Sequence, residues 1–215
     1  MDAKYSRAIT LGAGLIILTA SAPPLRGQEA ESFNQMSLEE LLNLKVSSAS
    51  KIEQTTLEAP SVISLVTRDQ IAAYGWTSLN DVLYRQPGFG AAQDYDRRTV
   101  GARGLFEGWN NNHLLVLVDG IPVNDNLYGS AYTWEITPLA LAKSLEISRG
   151  PGSALYGSNA TNGVIQFNTL SAEDLEDGGE GKVRVGDDGV RVYDLLYGHK
   201  GARVSSVIAL NAYET

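Results

Sequence analysis

The residues whose types could support catalysis or metal binding are few and widely spaced. The two histidines, His113 and His199, lie far apart, and neither has a nearby nucleophile or a second ligand at metal-binding spacing. Each is expected at the end of a strand. Asn124-Asp125-Asn126 is rich in oxygen but lacks the spaced pattern of a calcium loop. We therefore predict no catalytic residue, no bound metal and no cofactor.

A glycine-rich segment superficially resembles a phosphate-binding loop. It begins Gly150-Pro151-Gly152-Ser153, but no Gly-Lys-Ser/Thr follows, so nucleotide binding is not expected. We predict instead that its glycines serve backbone conformations that a side chain would block. These positions are Gly150, Gly152, Gly157 and Gly163.

The N-terminus has the pattern of a secretory signal peptide. Lys4 and Arg7 precede an uncharged run, Ala8 to Ala22, which Pro23-Pro24 follows. The run is shorter than the roughly 18–20 apolar residues of a membrane span. We predict a signal peptide over residues 1–27, cleaved between positions 22 and 27. A buried core helix is the alternative.

The charge and cysteine content exclude several classes of protein. Residues 1–27 hold three of the 17 basic and one of the 25 acidic residues, so 14 and 24 remain, a formal charge of −10. Such a chain should not bind nucleic acid. The absence of cysteine excludes a disulfide framework and a thiolate metal site.

Residues 60–169 show short elements in mixed order. Leu114 to Val118 is the most apolar run after the signal peptide and predicts a strand buried on both faces. Asp119-Gly120 predicts a turn after it. The other predicted elements are strands at Ser61–Thr67, Thr99–Gly104 and Leu145–Ser148 and helices at Asp69–Tyr74 and Ser78–Arg85. This mixture indicates a small α+β domain.

The segments on either side of this domain differ from it. Residues 28–59 contain one amphipathic piece, Ser37 to Leu42, and otherwise predict an exposed, extended arm, with a flexible linker as the alternative. Residues 170–215 contain three stretches with alternating polarity, which predict successive hairpin strands. These are Lys182–Gly186, Val190–Tyr197 and Arg203–Tyr213, with turns at 187–189 and 198–201.

The last stretch leaves two environments open. Val204, Ile208, Leu210 and Ala212 share one face, and more polar residues occupy the other. A membrane barrel strand alternates in this way, and so does a half-buried soluble sheet.

Four motifs occur in one order: Gly101 to Gly104, Leu115 to Asp125, Arg149 to Ala160, and Gly163-Val164-Ile165. Their order and spacing closely resemble the plug domain of TonB-dependent outer-membrane receptors. The resemblance covers roughly residues 37–215. It implies an outer-membrane receptor for TonB-dependent uptake of a scarce nutrient, such as a siderophore or cobalamin, with the arm in the periplasm and this chain supplying the gating plug.

The fold that the resemblance implies is an α+β plug domain with a small mixed β-sheet and short helices. Antiparallel strands of an incomplete transmembrane β-barrel follow it. Plugged outer-membrane transporters have about 22 strands, and this chain offers only three candidates, so we expect a fragment, a truncated reading frame or a separated plug. A freestanding periplasmic plug-like binding module that does not transport is the alternative function, and a periplasmic hydrolase is a third class.

In this family a segment before the plug pairs as an added strand with a TonB-type energy-transducing protein. Such pairing needs an accessible, extended backbone. By position the resemblance assigns this role to Leu44, Lys45, Val46, Ser47, Ser48, Ala49 and Ser50, with Val46 at the centre.

The resemblance also implies a lock between plug and barrel. Arg103 and Arg149 each sit beside a glycine, in matching Arg-Gly pairs. In related receptors such arginines pair with acidic residues of the barrel wall, and a planar guanidinium can bind a carboxylate through two hydrogen bonds. Ordinary surface arginines are the alternative.

Ligand contacts in the family come from outward plug loops, here Ala91–Arg97, Leu105–Asn112 and Asn124–Trp134. Aromatic and amide side chains there suit a metal chelate, a cofactor or a sugar. Packing of these aromatics against the barrel wall is the alternative. The candidate contact residues are Asp94, Tyr95, Arg97, Trp109, Asn110, Asn111, Leu127, Tyr128, Tyr132 and Trp134.

Overall fold

The computed structural model describes residues 45–46, 54–55, 61–95, 97–106, 108–133, 138–175 and 178–214. The predicted signal peptide and the predicted helix at Ser37–Leu42 lie outside these residues. Across the described ranges, no helix combines the length and apolar character needed to cross a membrane.

The strands and helices of these residues are short. The strands are β1 (Lys45–Val46), β2 (Gln54–Thr55), β3 (Val62–Thr67), β4 (Phe89–Asp94), β5 (Arg97–Ala102), β6 (Leu114–Val118), β7 (Ile121–Pro122), β8 (Ala142–Arg149), β9 (Gly163–Thr169), β10 (Gly178–Val185), β11 (Arg191–Lys200) and β12 (Ser205–Glu214). The α-helices are α1 (Arg68–Tyr74), α2 (Leu79–Leu83) and α3 (Ser153–Tyr156).

A mixed five-stranded sheet forms the centre of the first domain. Its strand order is β3-β8-β9-β6-β7, and β6 runs parallel to β9 while the other neighbours are antiparallel. The predicted burial of Leu114 to Val118 is confirmed, since the first four residues of β6 are buried. A mixed sheet with short helices is the fold that the sequence predicts.

Side-chain caps explain where α1 and α2 begin. Thr67 caps α1 in a capping box with Gln70, and α1 ends at Gly75, whose φ of 66° is left-handed. Ser78 caps α2 in the same way with Asp81. Leu79, Val82 and Leu83, spaced i, i+3 and i+4, are all buried and form the core face of α2.

The two faces of the central sheet differ in polarity. One face carries the apolar core, with Val66, Leu145, Ile147, Ile165 and Phe167 packed against the helices. On the other face, β8 and β9 place polar side chains beside one another, since antiparallel partners share a face. They are Ser144, Glu146, Ser148, Gln166 and Asn168. Glu146 is 4% exposed and its Oε1 accepts a hydrogen bond from Asn168 Nδ2 at 3.0 Å.

The Asp119-Gly120 turn joins β6 to β7 and also ties β6 to β9. Both residues have positive φ, 47° and 82°, as a tight two-residue hairpin turn requires. The Asp119 carboxylate accepts hydrogen bonds from the backbone N–H of Thr169 at 2.8 Å and from its hydroxyl at 2.6 Å. The predicted turn is confirmed, and its aspartate also fastens the end of β9.

The predicted structural role of the glycines is confirmed at Gly150 by its backbone conformation and at Gly163 by its close approach to neighbouring atoms. Gly150 has a φ of 119°, which side-chain-bearing residues rarely adopt. A Cβ atom on Gly163 would lie 3.1 Å from the Ser148 carbonyl oxygen and 3.2 Å from Leu114 Cδ2. Gly163 therefore allows β9 to fit between β8 and β6.

Strands β10, β11 and β12 form a separate antiparallel sheet. Its inward face is mixed in polarity, because Val192 and Leu196 are buried on either side of Asp194. Asp194 is 6% exposed, pairs with Arg184 at 2.6 Å and accepts a hydrogen bond from Asn211 at 2.7 Å. The opposite face exposes large apolar side chains over all three strands: Val183, Val185, Tyr193, Leu195, Tyr197, Ile208 and Leu210. Ile208, Leu210 and Ala212 share this face as predicted, whereas Val204 precedes β12.

Two predicted loops are strands. Residues 91–94 belong to β4, which pairs with β5 from Phe89↔Ala102 to Asp94↔Arg97. Gly198 to Lys200 continue β11 as far as the pair Lys200↔Ser205. Both segments lack the β-branched residues that signal a strand, and backbone pairing with a neighbouring strand stabilises them instead.

The Asp119→Ala substitution should weaken this domain. It removes both bonds to Thr169 and a residue that tolerates positive φ, so we expect a loss of about 1–2 kcal/mol in the free energy of unfolding. Urea unfolding of the chain in detergent micelles measures it. Asp119→Asn should lose less, because asparagine also tolerates this conformation. If both substitutions lowered the free energy of unfolding equally, the positive φ at position 119 would make no separate contribution to it.

Candidate functional site

The three predicted ligand loops meet in one surface. At the β4–β5 tip, Asp94 lies so close to the turn at Gly108–Asn110 that a Cβ on Gly108 would be 2.8 Å from its Oδ2. The backbone N–H of Ala131 donates to the Asn110 carbonyl at 3.2 Å. The Ser130 hydroxyl donates to Asn110 Oδ1 at 2.7 Å. Asn110 thereby connects the second loop to the third.

Aromatic and apolar side chains project from this loop surface. Tyr95 is 92% exposed and has a φ of 51°, while Leu127, Tyr128 and Tyr132 are 79%, 54% and 44% exposed. Phe106 is 47% exposed and was not among the predicted contact residues. The sequence signal that could have identified Phe106 is its position between Leu105 and Glu107, in the same predicted loop as Trp109.

The other candidate contact residues occupy varied positions. Asp94 and Arg97 face each other as the last pair of the β4–β5 hairpin, and Arg97 is exposed. Trp109 lies in the turn Gly108–Asn110. Trp134 lies outside the described residues.

The prediction that Asn111 faces a ligand is wrong in this structure. Asn111 is 0% exposed, and its side-chain amide donates to Thr133 Oγ1 at 3.4 Å. Its φ of 45° turns the chain into β6, and asparagine tolerates this conformation better than most residues. Asn111 therefore shapes the loop from within.

Asn124 and Asp125 stabilise the third loop. Asn124 Oδ1 accepts from the Val116 N–H at 2.8 Å, and its Nδ2 donates to the Leu114 carbonyl at 2.9 Å. These bonds continue the edge of the sheet beyond β7. The Asp125 carboxylate accepts the backbone N–H groups of Leu127, Tyr128 and Ser130 at 2.7–3.0 Å.

These hydrogen bonds change the acidity of Asp125. The backbone N–H of Tyr128, with those of Ser130 and Leu127, lowers its pKa to about 2, because N–H donors favour the charged carboxylate. The oxygens of Asn124 and Asp125 are thus used within the loop. In the described part of the chain, no group of three or more His, Asp or Glu side chains could hold a metal ion.

The structure brings Arg103 and Arg149 into one open cleft of about 540 Å³. The Arg149 guanidinium donates to Ser64 Oγ at 2.9 Å and to the Pro87 carbonyl at 3.3 Å. Arg103 is exposed and has a φ of 54°, and its backbone N–H donates to the Gly88 carbonyl at 2.7 Å. Among the described residues, neither arginine forms an ion pair with a carboxylate.

Of the predicted coupling segment, the structure describes Lys45 and Val46, while Leu44 and residues 47–50 lie outside the described residues. Lys45 and Val46 form β1, which pairs with Gln54 and Thr55, and Val46 is 2% exposed. The expectation of an accessible backbone therefore differs from the structure at Val46. The polar strand β2 pairs with the backbone of Val46 and occupies its hydrogen bonds.

Comparison with known proteins assigns the family. The model of the TonB-dependent receptor plug domain matches residues 55–164, about half of the chain. The chain therefore belongs to the TonB-dependent receptor plug domain family, whose relatives are receptors and transporters of the outer membrane.

One curated relative is the vitamin B12 transporter BtuB of Vibrio vulnificus (strain CMCP6). It is 34% identical over 131 residues, which are 61% of this chain and 21% of the relative. This chain therefore spans about a fifth of the length of that relative.

Two solved structures share the fold. The ferripyoverdine receptor of Pseudomonas aeruginosa aligns with a TM-score of 0.59 and 22% identity over 72% of this chain and 20% of that one. The siderophore receptor PiuA of Acinetobacter baumannii aligns with a TM-score of 0.60 and 22% identity over 82% of this chain and 24% of that one. At these identities the likeness supports the fold alone.

The two arginines of the cleft should differ in their effect on stability. Arg149→Ala removes bonds to Ser64 and Pro87, so we expect the free energy of unfolding to fall by about 1–2 kcal/mol. Arg103→Ala removes no described side-chain bond and should change it by less than about 0.5 kcal/mol. Urea unfolding in micelles compares the two, and equal losses would contradict the assignment.

Asp125 should titrate below an ordinary aspartate. Its lowered pKa means that its carboxylate stabilises the loop above about pH 4 and loses this effect as the pH falls toward 2. The 13C shift of its carboxyl carbon should therefore have a midpoint near 2. A midpoint near that of an unstructured peptide would show that the N–H bonds do not form in solution.

Proposed function

We propose that this chain is the gating plug of an outer-membrane receptor that takes up a scarce nutrient by TonB-dependent transport. The proposed nutrient is a siderophore, cobalamin or a similar compound, in keeping with the relatives, which are a vitamin B12 transporter and siderophore receptors. The observation that carries the proposal is that three loops in contact with one another expose aromatic side chains on a plug-family domain.

The loop surface suits a large ligand with both flat and polar parts. Tyr95, Tyr128 and Tyr132 expose rings that bear a hydroxyl, so each offers apolar contact area together with a hydrogen bond. Phe106 and Leu127 add purely apolar area beside them. The Asn124 and Asp125 bonds hold the third loop in place before a ligand arrives, which reduces the entropy that binding would cost.

The exposed apolar face of β10–β12 supports a membrane location. The inward face mixes Asp194 with the buried apolar Val192 and Leu196, while the outward face exposes large apolar side chains. A transmembrane barrel strand likewise turns an apolar face to lipid. The arrangement does not favour a freestanding periplasmic module, which would expose this apolar face to water.

Arg103 and Arg149 are proposed to lock the plug to a barrel wall. They share one cleft without a described carboxylate partner, and a guanidinium in a confined interior needs one. The described contacts support different parts for them, since Ser64 and Pro87 hold Arg149 while Arg103 is exposed.

The segment Leu44 to Ser50 is proposed as the site of a TonB-type energy-transducing protein. Strand addition there requires that Val46 leave its pairing with Gln54. We propose that ligand binding favours this release and that force on the arm then opens the plug locally. Local opening suits a domain whose helices are only four to seven residues long.

Ligand binding tests the loop surface. In the complete receptor, Tyr128→Ala and Tyr132→Ala should each weaken binding of the transported ligand about tenfold, as a buried aromatic contact typically does. Tyr74→Ala is the matched control, because Tyr74 is 68% exposed but lies on α1. Titrations with cobalamin and with ferric siderophores, followed by tryptophan fluorescence, measure affinity.

Coupling of the segment Leu44 to Ser50 to the TonB-type protein is tested separately from ligand binding. Val46→Pro removes a backbone donor, so it should abolish uptake of radiolabelled ligand and leave its affinity unchanged. Full uptake by Val46→Pro would overturn the coupling segment, and equal affinities for the tyrosine variants and the Tyr74 control would overturn the loop surface.

A further inference from the structure

We infer that Arg68 is a positioning residue that fastens the plug to the strand sheet that follows it. It acts through Glu180 of β10, at a place separate from the Arg103 and Arg149 cleft. This second fastening goes beyond the proposed function, because it lies within the described chain and needs no barrel partner.

Arg68 bridges the two sheets with both arms of its guanidinium. As the first residue of α1, it donates through Nη1 to the Ala140 carbonyl at 2.5 Å and through Nη2 to Glu180 Oε2 at 2.6 Å. Lys182 holds the other oxygen of Glu180 at 2.6 Å. A planar fork can make two such bonds at once, whereas a lysine cannot hold both partners in fixed directions.

The chain that connects the domains is fastened beside this bridge. Lys143 of β8 pairs with Asp174 at 2.5 Å, and Lys200 of β11 donates to the Glu173 carbonyl at 3.0 Å. Partial burial would raise the pKa of Asp174, but hydrogen bonds from Lys143 and Ser171 outweigh it and lower the pKa to about 2. The Asp174 carboxylate that Lys143 contacts is therefore charged at neutral pH.

A gap in the packing explains why the position of α1 relative to β10 depends on these polar contacts. A cavity of about 420 Å³ separates α1 and the Leu139–Ala140 turn from β10, and Arg68, Lys182 and Val183 are among its lining residues. Apolar contacts hold two surfaces only where their atoms touch, so packing contributes little between α1 and β10, although Val192 and Leu196 of β11 are buried elsewhere on the inward face. The Arg68 bridge crosses the edge of the cavity and sets the distance between α1 and β10.

The consequence concerns how the plug moves. If the contacts of Arg103 and Arg149 with a barrel wall were broken, Arg68 and Lys143 would still hold α1 and β8 against the sheet β10–β12. The plug would then swing about this seam and stay attached there.

The chain has no cysteine, so two introduced cysteines can be spin-labelled without interference. Ala73 on α1 and Ser206 on β12 are both exposed, and labels there report the distance between the plug and the strand sheet. Pulsed electron paramagnetic resonance on the whole chain in detergent micelles should show one narrow distance distribution.

Loss of the bridge should broaden that distribution by about twofold in Glu180→Gln and in Arg68→Gln, because the described ion pair that joins α1 to β10 beside the cavity is then absent. Glu180→Gln is nearly isosteric and keeps the bond from Arg68 to Ala140, so it preserves the fold. Glu214→Gln is the control, because the Arg191–Glu214 pair lies within the strand sheet and should not affect the width.

A charge exchange identifies the ion pair itself. Arg68→Glu and Glu180→Arg should each broaden the distribution, and the double exchange should be narrower than either, because it restores the attraction. An unchanged width in Glu180→Gln and Arg68→Gln would overturn the inference, and so would a double exchange as broad as the single ones. These readings require no ligand, so their failure is distinct from failure of the proposed function.

Discussion

The parallel pairing of β6 with β9 brings together segments about fifty residues apart, from Leu114↔Gly163 to Val118↔Phe167. Loop closure over that length costs entropy, which burial of the strands on both faces and the Asp119 bonds to Thr169 offset. The pairing fixes where β6 begins, and Asn124 hydrogen bonds to that same strand. The loop surface and the central sheet therefore depend on one alignment.

The two sheets distribute polar and apolar side chains differently over their faces. The central sheet has one apolar face, and on its other face buried polar groups around Glu146 lie beside the apolar Leu115 and Val164, while the strand sheet exposes apolar side chains on its outward face. Buried polar groups such as the Glu146 and Asn168 pair contribute less net stability than close apolar packing. A domain built this way can open locally at modest cost.

Arginine has three different uses in this chain. Arg149 is held by Ser64 and Pro87, Arg103 lines the same cleft, and Arg68 bonds to Ala140 and Glu180 beside a cavity. The guanidinium groups of Arg149 and Arg68 make directional bonds, whereas no side-chain bond is described for Arg103. Two of the three were recognisable from the neighbouring glycine, but Arg68 was not, because its partner lies 112 residues away.

The sequence by itself determined the family, the mixed fold, the capped helices and the Asp119-Gly120 turn, because each depends on neighbouring residues and their spacing. It also indicated which loops carry aromatic side chains. Only the tertiary structure decided that Asn111 is buried, that Val46 is paired, that β4 is a strand and that the apolar face of β10–β12 points outward. These features depend on partners distant in the chain, since alternation in a strand is the same whichever face meets water or lipid.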